Sequence, residues 1–238
     1  MQILADLASH VRHTFNVAEA RRAVIHLSED PVTAWMTMEI VTPRGPARVD
    51  LDETPEPGLL LVLTHGSAGT VEAPDLLAVR DAALKAGISV ARVTQPFRLA
   101  GARAPGSPER QDEAWAVVLG ALRDRFPGVP VVQGGRSNGA RVACRTARAV
   151  GAVAALALAF PLHPPGRPER SRAQELRDAG VEVLVINGDR DPFGIPDPAD
   201  ATHLVVLPGE GHDLKKNPEK VGELVAGWIA DRMDSWAR

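Results

Sequence analysis

The 238-residue sequence contains no tyrosine and a single cysteine, Cys144. One cysteine excludes an internal disulfide framework and a cysteine metal cluster. Aromatic residues amount to 4%, too few for an aromatic substrate cage. Lysine is scarce, since 23 of the 27 basic residues are arginine, a compositional bias that assigns no function by itself. No window approaches the roughly 18 apolar residues of a membrane span, so no membrane partner is expected. A net charge of −3 argues against a nucleic-acid grip carried by bulk charge. The opening residues MQILADLASH have no basic n-region, continuous apolar run or small-residue cleavage site. They are not a secretory signal, and the cytoplasm is the expected compartment.

What is present is an ordinary globular composition, 45% apolar and 24% charged, at a length that suits one α/β domain. Residues 1–37 form an N-terminal extension of uncertain order. Either they belong to the native protein or they are translated upstream of a start near Met38. A single domain is expected over 38–238. Short strands are expected at 38–41 and 47–51. The run Leu59 to Thr64 is continuously apolar, as in a strand buried on both faces of a parallel sheet. A helix follows over 74–86, opened by Pro74 and stopped at Gly87. Ile88–Val93 is the next strand, and 94–108 a Pro-, Gly- and Arg-rich loop. Ser107-Pro108 caps and opens a helix whose apolar residues keep helical spacing. Further strands are expected at 129–133, 153–159, 181–187 and 203–207, and helices at 138–149 and 168–179. Asn217-Pro218 caps a last helix that buries Val221, Leu224, Val225, Trp228 and Ile229. This alternation predicts an α/β fold, a doubly wound, mainly parallel sheet flanked by helices.

Such sheets place their chemistry at the carboxyl ends of the strands. The strand at 129–133 runs into Gly134-Gly135-Arg136-Ser137-Asn138-Gly139, and a helix follows. Gly135-x-Ser137-x-Gly139 is the nucleophile-elbow pattern, in which a strained turn exposes the serine. With 21 glycines and 8 serines, about 0.06 chance matches are expected, so the strand-to-helix context carries the assignment. Serine needs a histidine to take its proton. Of His163, His203 and His212, the last lies in Gly209-Glu210-Gly211-His212-Asp213, directly after the final strand. The acid belongs after the preceding strand, where Asp189 and Asp191 compete. Asp191 sits deeper in the loop and is assigned the role, with Asp189 stabilising the turn. Oxyanion donors are expected from the backbone N–H of Asn138 and of Ser67, with Gly66 the alternative to Ser67. His65 holds the Thr64–Gly69 loop. That loop lacks a GKS/T ending and is no P-loop. Arg98, Arg103, Arg136 and Arg190 lie in or beside the site loops. Arg98 and Arg136 are the candidate substrate-binding residues, for an anionic acyl or alcohol part. No metal or cofactor constellation is present in the sequence, and Cys144 reads as a small core residue.

The segments LTHGSAG (63–69), TQPFR (94–98), GGRSNGAR (134–141), FPLHPPGRPER (160–170), NGDRDPFG (187–194) and GEGHD (209–213) resemble the α/β-hydrolase superfamily. Within it they resemble the small group of testis-expressed-30-like proteins and the hydrolase-like subunit of a nuclear acetyltransferase complex. Ser137, Asp191 and His212 fall on the family's nucleophile, acid and base. The sequence departs from the group at Ser67-Ala68-Gly69, where a Gly-Gly pair is usual, and at Asn138, where methionine is usual. The resemblance implies a serine hydrolase that cleaves a small carboxylic ester through an acyl-enzyme. A thioesterase, a peptidase, a lyase or transferase on the same fold, and an interaction module without turnover remain alternatives. The insert after the strand that follows the elbow helix, about 162–180, is short, which implies a minimal lid and a shallow site. The oligomeric state is left open.

Overall fold

A computed structural model describes residues 21–24 and 34–236. The rest of the 1–37 segment lies outside the described residues. Among the described residues nine strands form one sheet: β1 Arg21–Val24, β2 Ala34–Thr42, β3 Gly45–Glu53, β4 Leu60–Thr64, β5 Ser89–Thr94, β6 Val131–Arg136, β7 Ala154–Leu158, β8 Glu182–Gly188 and β9 His203–Leu207. The spatial order is β1-β2-β3-β5-β4-β6-β7-β8-β9. The three pairings from β1 to β5 are antiparallel. Every pairing from β5 to β9 is parallel.

Parallel strands need crossovers, and helices supply them. Helices α1 Pro74–Lys85, α2 Pro96–Leu99, α3 Pro108–Arg125, α4 Asn138–Thr146 and α5 Ala173–Arg177 lie between strands, and α6 Pro218–Ala230 and α7 Met233–Trp236 follow β9. Alternation along β4 sorts the two faces. Leu61 and Leu63 pack with Leu76 and Val79 of α1 and with Val221, Val225 and Ile229 of α6. Leu60 and Val62 pack with Trp115, Val118 and Leu122 of α3. Cys144 joins Leu176 and Val185 on that second side. All five β4 side chains are therefore buried, each stabilising the fold by roughly 1.5–3 kcal/mol if large and aliphatic. The sheet is doubly wound, as the sequence predicts. No helix among the described residues is long and apolar enough to cross a membrane.

Several boundaries differ from the sequence reading. β2 begins at Ala34 and is in register with all of β3, so the sheet starts ahead of residue 38. Cross-strand pairing, which no local pattern encodes, extends it. The 94–108 loop contains the one-turn helix α2, started by Pro96. The helix expected at 138–149 ends at Thr146, and the one expected at 168–179 shrinks to Ala173–Arg177. Ser107 makes no side-chain cap bond. Its carbonyl instead accepts from the backbone and side-chain N–H groups of Gln111. Asn217 caps α6 through Lys220 N as expected.

Candidate active site

The loops leaving β4, β6, β8 and β9 meet at the carboxyl edge of the parallel strands. Ser137 stands between β6 and α4 with φ 53° and ψ −111°, a region that side chains with a β-carbon avoid. The turn is this tight because its neighbours are glycines. A β-carbon on Gly135 would lie 2.6 Å from the Thr64 carbonyl oxygen, and one on Gly139 2.7 Å from the same atom. Real β-carbons do not approach that closely, so the two glycines let β4 run alongside the elbow. Among the described residues, the other non-glycine positions with positive φ are Ala159 and Leu214. They follow β7 and His212, so the backbone strain gathers around one spot.

His212 bridges the nucleophile and the acid. Its Nε2 is 2.8 Å from Ser137 Oγ, and its Nδ1 is 2.8 Å from Asp191 Oδ2. The carboxylate fixes the proton on Nδ1, which leaves Nε2 to accept from the serine hydroxyl. The Asp191 side chain is fully buried, whereas that of His212 is 21% exposed. Phe193 lies against the imidazole, with ring centroids 4.1 Å apart. The Phe193 N–H donates to Asp191 Oδ1 at 2.8 Å. Ser137, Asp191 and His212 are thus brought together, and Asp189 turns elsewhere, accepting from the Gly209 N–H at 2.7 Å. Of the other histidines, His203 accepts from Arg232 at the far side of β9, and His163 bonds the Pro164 carbonyl.

The Thr64–Gly69 loop rests against the nucleophile, since a β-carbon on Gly66 would sit 3.2 Å from Ser137 Cβ. The Ser67 N–H donates to no backbone carbonyl among the described residues. As the first residue of α4, Asn138 has no intrahelical acceptor for its own N–H. Both expected oxyanion donors are therefore available. His65 is buried, with Nδ1 donating to the Gly66 carbonyl at 2.8 Å and Nε2 accepting from the Gln95 N–H at 3.0 Å. Burial holds its pKa below the usual imidazole range, so it braces the loop as a neutral ring. Cys144 is wholly buried, and desolvation pushes its thiol up to about 12, leaving a core residue and no second nucleophile.

Arg136, expected to bind substrate, is engaged with the protein on two of its nitrogens. Its guanidinium points inward, with Nε 3.2 Å from Asp75 Oδ2 and Nη2 donating to the His212 carbonyl at 3.2 Å. It ties α1 to the histidine loop. Arg98 stands on α2, half-exposed, with no ion pair among the described residues. Three further residues escaped the sequence reading. Asn187 is fully buried and joins two loops, accepting from Phe160 N and donating to the Phe160 and Gly194 carbonyls. Gln111 accepts from Asn138 Nδ2 at 2.7 Å. Glu210 is buried beside His212 and accepts from the Lys216 and Asn217 amides. Only Asn187 left a signal, an amide closing the apolar run of β8.

Burial pushes the Asp75 carboxyl up from 3.8 to about 6, against the opposing charge of Arg136. The folded chain therefore holds this proton more tightly than the unfolded chain, and the group's contribution to stability falls as pH rises through 4 to 6. The expected result is that wild type loses about 2 kcal/mol relative to Asp75→Asn between pH 4 and pH 7. Denaturant titrations of both proteins across that range check it; parallel pH profiles would refute it.

Among the described residues, no cluster of three or more His, Cys, Asp or Glu side chains could hold a metal ion. The comparisons with known proteins agree with this architecture. An alpha-beta serine hydrolase homologue from Coxiella burnetii is 16% identical, with a TM-score of 0.69 over 87% of this chain and 99% of that one. An α/β serine hydrolase without lid from Xanthomonas campestris is 20% identical, with a TM-score of 0.62 over 87% of this chain and 97% of that one. Dienelactone hydrolase from Anabaena variabilis is 16% identical, with a TM-score of 0.67 over 84% and 98% of the two chains. No curated protein sequence matches. Residues 57–230 match the family model of the alpha/beta hydrolase domain, a span that runs from β4 through the elbow, the acid and the histidine into α6, and the chain belongs to that family.

Proposed function

We propose that this α/β hydrolase is a serine esterase acting on small carboxylic esters. The observation that carries the reading is the continuous relay from Ser137 Oγ through His212 to the buried Asp191, with both links at 2.8 Å. Ser137 attacks the ester carbonyl while His212 Nε2 takes its proton. Asp191 keeps the imidazole oriented and stabilises the imidazolium. The Asn138 and Ser67 amides face the developing oxyanion, and such donors are each worth roughly 3–4 kcal/mol in the transition state. His212 then gives its proton to the leaving alcohol. An acyl-Ser137 remains, and a water activated by His212 releases the acid. No step calls for a cofactor.

The neighbours' names, serine hydrolase and dienelactone hydrolase, support hydrolysis of an ester. The crossover from β7 to β8 carries only the short α5, which suits a lidless site and a small, water-soluble substrate. The motif set supports placement in the testis-expressed-30-like group. A thioester or amide would pass through the same relay. The interaction-module alternative is disfavoured by the assembled triad, since a surface that only binds has no use for strained backbone at Ser137.

Labelling with a fluorophosphonate probe tests the reading. Wild type is expected to label strongly, and Ser137→Ala and His212→Ala to lose the label. A folded wild type that stays unlabelled would overturn the esterase reading.

A further inference from the structure

Beside the triad, residues 94–110 enclose a second feature. A cavity of about 220 Å³ is lined by Arg44, Gln95, Phe97, Pro105, Arg110 and Gln111. Its walls are tied to both loops that carry the oxyanion donors. Gln111 holds the Asn138 side chain, Gln95 donates to His65, and the Phe97 ring lies 5.6 Å from the His65 ring. The volume falls below the roughly 300–1,000 Å³ of pockets for drug-sized ligands, so it suits a short chain.

The charge around it is one-sided. Residues 94–108 contain no Asp or Glu. The lining includes two arginines and no acid. Arg44 is balanced by Glu113. Elsewhere arginines near the sheet are matched to carboxylates, as in Arg141 with Glu175 and Arg145 with Asp112. Arg98, Arg103 and Arg110 make no ion pair or side-chain hydrogen bond among the described residues. Of these three, Arg110 lines the small, partly apolar cavity, so one unpaired guanidinium stands on its wall, in a chain whose net charge is negative. A guanidinium fork with nothing to bind is matched by a carboxylate.

We propose that this cavity is a substrate subsite that takes the carboxylate-bearing half of a small ester, with Arg110 as the fork that binds the anion. The natural substrate class is then a half-ester of a short dicarboxylic acid, or a short acyl ester of a hydroxy acid. This rests on the serine esterase reading. Phe97 and Pro105 cover the methylene chain, and the amides of Gln95 and Gln111 are already committed to the protein and set the depth of the cavity.

The experiment compares ethyl hydrogen succinate with its neutral isostere ethyl 4-methylpentanoate, and with 2-carboxyethyl butyrate, in wild type, Arg110→Gln and Arg110→Lys. One carboxylated ester is expected to exceed the neutral one about tenfold in kcat/KM at low salt, chiefly through KM. The preference should shrink as ionic strength rises. Arg110→Gln should lower the ratio of carboxylated to neutral rates about tenfold, and Arg110→Lys should recover part of it. Equal rates for all three esters in wild type, or an equal loss on all three in Arg110→Gln, would overturn the subsite while leaving fluorophosphonate labelling of Ser137 intact. A protein that neither labels nor hydrolyses any ester would overturn both readings.

Discussion

Replacing Ser137 with glycine is expected to give an enzyme that is inactive and more stable than wild type. Removing the nucleophile of a triad costs on the order of 10⁶ in kcat. The stability gain has a separate origin. Ser137 sits at φ 53° and ψ −111°, a conformation that costs a residue with a β-carbon roughly 1–3 kcal/mol and costs glycine little. Glycine returns part of that by loosening the unfolded chain, by roughly 0.4–1 kcal/mol. The lost contact with His212 is a single partly exposed hydrogen bond. A net gain of about 1 kcal/mol should raise Tm by roughly 2–4 °C at this chain length. Ser137→Ala supplies the control, because alanine keeps the β-carbon and should lose activity without the gain in Tm. Ester turnover and thermal melting of the three proteins decide the matter. An unchanged Tm in Ser137→Gly would mean that the strain is not stored at this residue.

That strain is the local rule the sequence breaks, and it breaks it where the glycines on either side announce the exception. The pattern Gly135-x-Ser137-x-Gly139 was legible because each glycine answers a local need, room for the Thr64 carbonyl. The core strand β4 and the apolar face of α6 were legible for a similar reason, since period and burial coincide over a few residues. Asp191 and His212 were located by topology, each following a strand that the alternation had already placed. What stayed hidden depends on partners far along the chain. Arg136 looked like a free cation beside the nucleophile, yet its carboxylate partner, Asp75, sits at the start of α1, where an acid ordinarily reads as complementing the helix dipole. Gln111 is 27 residues from the Asn138 it holds, and nothing near Gln111 hints at the contact. The helix end at Thr146 was missed because Ala147, Arg148 and Ala149 beyond it are good helix formers that tertiary packing draws into turns. The early start of β2 depends on its register with β3, a pairing invisible to one-strand patterns.

Asp191→Asn is expected to lower kcat about 10⁴-fold with the fold retained. The reason is proton placement. Asp191 accepts on both oxygens, from Phe193 N–H at Oδ1 and from His212 Nδ1–H at Oδ2. An asparagine has one oxygen and one NH₂ and cannot serve two donors. Keeping the bond to the Phe193 amide puts the NH₂ against His212, and Nδ1 must then become the acceptor. The ring proton moves to Nε2, the atom that faces Ser137, and the base can no longer accept from the hydroxyl. The opposite flip sets the NH₂ against the Phe193 N–H and unseats the turn that carries the acid. KM should change little, because no contact to substrate is lost, and thermal melting should remain cooperative. Asp189→Asn makes the discriminating partner experiment. Asp189 accepts from Gly209 N–H through a single oxygen, a bond that asparagine reproduces, so its kcat should stay within about twofold of wild type. If Asp189→Asn proves the more damaging of the two, the acid of the triad has been misassigned. If both retain full activity, His212 works without a buried carboxylate, and the 2.8 Å contact to Asp191 is structural only.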